Sequence, residues 1–128
     1  MMQNILLNFP HCDDFDDHSF VGIWHESGKL DFQKYWEFER EVFELANEQS
    51  ASELPRDIAW PIMRIFSYIM TGIQAHYNVN DGFELLDLED NELHEFRERF
   101  QCVVEGFFKG SMPENTDFEL MNPLMQNT

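Results

Sequence analysis

A chain of 128 residues holds one domain, and its 25 Asp and Glu against 8 Lys and Arg leave a formal net charge of −17. That sign excludes autonomous binding to a phosphate backbone or an anionic bilayer, because the long-range force is repulsive and no counterions are released. With 43% apolar and 15% aromatic residues the chain is too hydrophobic for an acidic disordered tail, and it reads as a folded acidic domain suited to cationic partners.

The N-terminus, Met1 to Pro10, has no basic segment and too short an apolar run for a signal peptide, so the expected location is cytoplasmic. Residues 1–30 read as irregular, with an acidic run Asp13-Asp14-Phe15-Asp16-Asp17 and turns near Gly22 and Ser27-Gly28. Within them Phe20 to Trp24 fits a short strand or an aromatic plug. Asp31 is a plausible N-cap, and Phe32, Tyr35, Trp36, Val42, Phe43 and Ala46 follow at helical steps, which predicts a helix over Asp31 to Glu48. Residues 49–52 supply a turn, with Ser52 as N-cap and Pro55 near the first turn of a second segment that Pro61 is expected to interrupt and restart. After it, Ile62, Ile65, Phe66, Ile69, Met70 and Ile73 form a stripe that Trp60, Met63 and Tyr68 widen almost all round, as a central helix would require. The same stretch is too short for a membrane span and carries Arg64. Asn78 to Gly82 is a turn by composition, and a third helix runs from about Asp90 to Lys109, stopped by Gly110 and Pro113. The tail from Glu114 has enough apolar residues to dock but not to fold alone.

The predicted fold is therefore mainly α: a single-domain helical bundle over 1–128, three principal helices around Pro61 to His76, with irregular N- and C-terminal arms. The alternative is an α+β fold with a small sheet from residues near 5–9, 20–24 and 83–88.

Little in the sequence supports catalysis. His11, Cys12, Asp13, Asp14, Asp16, Asp17, His18 and His25 are ligand types, yet a calcium loop begun at Asp13 would need Gly and Glu where His18 and Trp24 stand. The glycine-centred turn at Gly82 fails likewise. Cys12 and Cys102 match no zinc spacing, and no serine lies in a Gly-x-Ser-x-Gly elbow. Abundant acids are not evidence for an acid–base pair. No enzyme activity, cofactor or metal is expected.

The strongest pattern is electrostatic. Glu37, Glu41, Glu44 and Glu48 share one helical face, where like charges destabilise an isolated helix by roughly 0.2–0.5 kcal/mol per pair. A second run, Glu84, Asp87, Glu89, Asp90, Glu92 and Glu95, has no Lys or Arg among it. A solvated face explains either run alone; two adjacent ones would steer a basic partner. The expected binding surface is thus Glu37, Glu41, Glu44 and Glu48 with Asp87, Glu89, Asp90 and Glu92. Most aromatic residues are assigned to the core, and His76 and Tyr77 are either exposed anchors or a helix cap.

His18-Ser19-Phe20-x-Gly22-Ile23-Trp24, Ser27-Gly28-Lys29-Leu30-Asp31-Phe32, Tyr35-Trp36 and Leu54-Pro55-Arg56-Asp57-Ile58-Ala59-Trp60-Pro61 together resemble the immunity protein 41 family of bacterial polymorphic or contact-dependent growth inhibition systems. The likeness spans roughly residues 18–110 and rests on core and turn positions. It implies a cytosolic antidote that binds the C-terminal domain of one toxin, often a nuclease. No contact residue follows from the resemblance. With the acidic composition it suggests an inert 1:1 inhibitor covering a basic cleft; the alternatives are an acidic nucleic-acid mimic acting on a DNA-binding or restriction protein, and a small carboxylate-dependent hydrolase.

Overall fold

Capping chemistry sets the helix boundaries in this computed structural model, which describes residues 2–49 and 53–125. The helices are α1 (Gln3–Leu7), α2 (Phe20–Ser27), α3 (Phe32–Glu48), α4 (Arg56–His76) and α5 (Asp90–Lys109), followed by short 3-10 turns at Asn115–Asp117 and Pro123–Met125. Among the described residues there is no strand, so the α+β alternative is not supported. The expected Ser52 cap lies outside the described residues.

α3 begins as the sequence predicts, with the Asp31 carboxylate accepting from Lys34 N at 3.1 Å. α5 opens with a capping box between Glu89 and Glu92 and closes at Gly110, whose φ of 79° suits a residue without a Cβ. α4 differs from expectation. It runs unbroken through Pro61, which is its sixth residue, so only the Asp57 carbonyl loses its helical partner and the helix continues.

The N-terminal quarter also differs, because Phe20 to Trp24 is neither strand nor irregular but the first turns of α2. Ser19 Oγ accepts from Gly22 N at 3.0 Å and Asn8 Oδ1 from Val21 N at 2.8 Å, so two of the orphan donors of that helix are satisfied. Gly28, at φ 63°, ends it. A Cβ on Gly22 would sit 2.5 Å from the Asp16 and Asp17 carbonyl oxygens, which is why the preceding loop can fold so closely over the helix. Trp24 is fully buried and lies over Gly72 of α4, where a Cβ would come within 2.6 Å of the indole nitrogen.

The core is aromatic. Tyr35 meets Phe96 edge-on at 4.9 Å, Phe20 meets Tyr35 at 5.1 Å, and Phe96 stacks on Phe100 at 5.4 Å. These rings place α3, not α4, at the centre: α3 packs against α1, α2, α5 and the last 3-10 turn. α4 buries Pro61, Ile62, Ile65, Ile69 and Ile73 on one side only, Phe66 is half-buried, and Trp60 and Met63 point to solvent.

One ion pair is set inside this core. Arg99 and Glu39 are both wholly buried and joined twice, Nε to Oε1 at 2.7 Å and Nη2 to Oε2 at 2.8 Å. Tyr35 Oη donates to Glu39 Oε1 at 3.0 Å and Asn122 Nδ2 to Oε2 at 2.9 Å. Arg99 Nη1 donates to the carbonyls of Asn115 and Leu120, and Nη2 to Asn115 Oδ1, while Trp36 and Phe118 lie against its guanidinium. The C-terminal arm is thereby tied to α3 and α5.

Replacing Arg99 with Met should cost about 3–5 kcal/mol, because Glu39 is left charged and buried without its partner. Urea unfolding measures it, and the double variant with Glu39→Met should recover part of the loss. Burial foremost, and the Glu39 carboxylate next, hold the Tyr35 hydroxyl well above the ordinary tyrosine range. The folded state therefore keeps that proton more tightly than the unfolded one, and stability should fall as pH rises above about 10. In an alkaline absorbance titration Tyr35 should ionise last, together with loss of helical circular dichroism.

Candidate functional site

The four glutamates of α3 share a face as expected, but that face is not open. α1 packs against α3, and Glu41, 6% exposed, accepts from Asn4 N at 3.1 Å through Oε2 and from Ile5 N at 3.0 Å through Oε1. The N-cap position of α1, Met2, offers no side-chain bond of its own. Glu41 supplies the missing acceptor from 36 residues away and sets a negative charge against the positive end of that helix. It is a structural residue, which corrects its assignment to a solvent-facing surface. Glu37 is half-buried, with Gln33 Nε2 donating to its Oε1 at 3.4 Å, while Glu44 and Glu48 are exposed.

The second acidic group is displayed differently. Asp87, Glu89, Asp90 and Glu92 are all exposed around the start of α5. The backbone leading to them is fixed: Leu85 N donates to His76 Nδ1 at 2.9 Å, Leu86 N donates to the Gly28 carbonyl at 2.7 Å, and Leu85 is buried. His76 is thus a loop anchor rather than a cap. Asp87, at φ 56°, adopts the left-handed conformation that Asp tolerates better than most residues, and its carboxylate lies 3.6 Å from Lys29 Nζ. Tyr77, more than half exposed, donates to Asp90 Oδ1 at 3.4 Å. Its hydroxyl is raised above the usual tyrosine range by burial and then by Asp90. Glu89 and Glu92 also bond the first turn of α5, so they serve the helix as well as the surface.

The two groups are not equally close along their length. Phe32 meets Phe96, Glu39 meets Arg99, and Ala46 shares a groove wall with Phe107, so α3 and α5 run parallel. Glu44 and Glu48 sit near the C-terminal end of α5, ~20 Å of helix from Asp90 at 1.5 Å per residue. Glu37 lies nearer the Asp90 end.

The N-terminal ligand types have other occupations. Among the described residues no group of three or more His, Cys, Asp or Glu side chains could hold a metal ion. His11 accepts from Arg64 Nε at 3.1 Å, His25 Nδ1 lies 2.6 Å from Tyr68 Oη, and the free thiol of Cys12 faces the Leu6 and Phe9 carbonyls. Sequence reasoning assigned Trp60 and Met63 to the apolar stripe of α4 and missed their exposure, since helical periodicity marks apolar stripes but not which stripe is covered, whereas Tyr77 is exposed, one of the two expected placements. No helix is long and apolar enough to cross a membrane among the described residues.

Replacing Glu41 with Ala should destabilise the protein by about 1–3 kcal/mol, because two amide groups beneath α3 lose their acceptor. Urea unfolding reads the loss, and hydrogen exchange should speed selectively at Asn4 and Ile5. Charge reversal at Glu41 should be worse, since it sets a cation against the positive end of α1.

Compared with known proteins, residues 7–119 match a family model described as Immunity protein 41, in agreement with the resemblance carried by the motifs between His18 and Pro61. No curated protein and no solved structure matches the chain.

Proposed function

The chain belongs to the Immunity protein 41 family, an immunity protein for a toxin, and from that premise we propose that it neutralises a nuclease toxin domain as an inert 1:1 partner. In this reading the antidote works in the cytoplasm of a cell with a contact-dependent growth inhibition system. It covers the basic surface or cleft where the toxin holds RNA or DNA. The observation that carries the proposal is the field: 25 carboxylates against 8 cationic side chains in 128 residues. A nuclease must present cations to phosphates, so an antidote of opposite sign is drawn to the same cleft and competes with the substrate.

The exposed residues Asp87, Glu89, Asp90 and Glu92 are the acidic patch best suited to that contact, because their backbone is already fixed and little ordering cost remains on binding. Glu44 and Glu48, with half-buried Glu37, act at longer range. Glu41 contributes to the overall field but not to contact.

The test uses the purified C-terminal domain of the toxin encoded beside this gene. Asp87→Asn with Asp90→Asn should slow association roughly 10-fold at low ionic strength and flatten its salt dependence, as expected for lost steering and contact charge. Asn keeps the left-handed conformation at position 87 accessible. Glu44→Lys with Glu48→Lys should slow association less. If both pairs associate at the wild-type rate in low salt, the electrostatic account fails; if wild-type protein does not inhibit the domain at all, the inhibitor reading fails.

A further inference from the structure

The outer face of α4 is chemically unlike the rest of the surface. From Ile58 to Asn80 the chain has no Asp or Glu, in a protein with 25 of them. On this face Trp60 is 53% exposed and Met63 42%. Trp60 is nevertheless held in place: its indole stacks on His11 with centroids 6.4 Å apart and planes at 15°, and Phe9 meets it edge-on at 6.1 Å. Arg64 fixes His11 in turn, through the 3.1 Å bond from Nε to Nε2. The indole therefore offers an open surface in a fixed orientation, at little entropic cost on binding. Tryptophan and arginine are enriched among the residues that dominate binding energy, and the centres of interfaces are depleted in charge because an unpaired desolvated carboxylate is costly.

The border of this face carries both signs, with acid in excess. Exposed Arg56 lies one helical turn before Trp60 and Arg97 of α5 lines a groove with Met63, while exposed Asp13 and Asp14 follow His11 and Cys12 in the loop, Asp57 is next to Arg56, and exposed Glu26 is next to His25, which bonds Tyr68 of the same helix. An apolar centre with a net acidic edge complements a basic protein that has an apolar pocket. A second copy of this chain fits less well, since two chains of formal net charge −17 repel one another at long range.

We infer that the outer face of α4 seats the toxin domain, with Trp60 as the anchor in an apolar pocket and Asp13, Asp14, Glu26 and Asp57 meeting cations around it. This rests on the inhibitor reading and deepens it: the acidic groups speed the encounter and add charge contacts, and Trp60 governs how long the partners stay together.

The experiment measures binding of full-length protein to the purified toxin domain encoded by the adjacent gene. Trp60→Ala should leave the helical circular dichroism and the urea midpoint close to wild type. It should leave association within about 2-fold and speed dissociation ~30-fold, as loss of an interface anchor does. Trp60→Phe should recover part of the residence time. In protein labelled with 5-fluorotryptophan, the resonance lost in Trp60→Phe should shift on adding unlabelled toxin domain, while those of buried Trp24 and Trp36 stay nearly fixed. Wild-type dissociation from Trp60→Ala, or a Trp60 resonance unmoved at saturation, overturns the anchor while leaving the inhibitor reading intact. If Trp60→Ala does not fold, the resonance in wild-type protein decides. A wild-type dimer that Trp60→Ala converts to a monomer, with toxin binding unchanged, assigns the face to a second copy and also overturns the proposal. Wild-type protein that does not bind the domain refutes the inhibitor reading itself.

Discussion

The five N–H groups of Arg99 each find an acceptor: two bonds go to Glu39, and three to Asn115 and Leu120 in the C-terminal arm. Glu39 completes its own set with Tyr35 and Asn122. Removing two full charges from water is costly, and the cost is offset only when every donor and acceptor is used. That condition constrains the surrounding structure. It fixes the register of α3 against α5, aims Tyr35 into the aromatic cluster, and requires the arm after Pro113 to wrap back so that its carbonyls face the guanidinium. Among the described residues no buried side-chain nitrogen or oxygen is left without a partner.

The same helix ties down the opposite arm. Glu39 points toward α5 and the C-terminal segment, and two residues later Glu41 points toward α1. A chain of net charge −17 thus places two carboxylates where they hold its ends, while most of the others remain in water and repel one another. The parallel arrangement of α3 and α5 adds to this logic: both helix N-termini lie at one end, and Asp31, Glu89 and Glu92 cap them there. Part of the acidity that looks like a binding surface is therefore used for folding.

What was legible in the sequence was local. The bounds of α3 and α5 were readable because Asp31 and Gly110 are caps and the apolar spacing persists for several turns. α1 and α2 were not, since five and eight residues are too few for a periodic signal and the group that stabilises the start of α1 is Glu41, far along the chain. Pro61 misled because a proline six residues into a helix frees one carbonyl without ending it. Glu41 misled in the opposite direction: four glutamates at steps of four and three do share a face, but nothing local reveals that another helix covers its middle. The family motifs were readable for a related reason, being mostly buried and turn positions such as Ser19, Gly22, Trp24 and Gly28 whose identities the packing dictates. The parallel course of α3 and α5, which sets Glu44 and Glu48 apart from Asp90, depends on contacts 60 residues apart and has no local signature.

The dependence of the Arg99 pair on Asn115, Leu120 and Asn122 bears on how the protein is made. A ribosome delivers the chain from its N-terminus, so Glu39 and Arg99 emerge before the acceptors and donors that complete their coordination. Until residues 115–122 are released, the centre of the molecule holds an ion pair whose remaining polar atoms have only water to bond. Closure of the core thus waits for that segment, and a chain that stops short of it differs at its centre rather than at its edge. Cellular proteases that sample open states would act on that difference, removing chains that stop before Asn122 while sparing those that contain it.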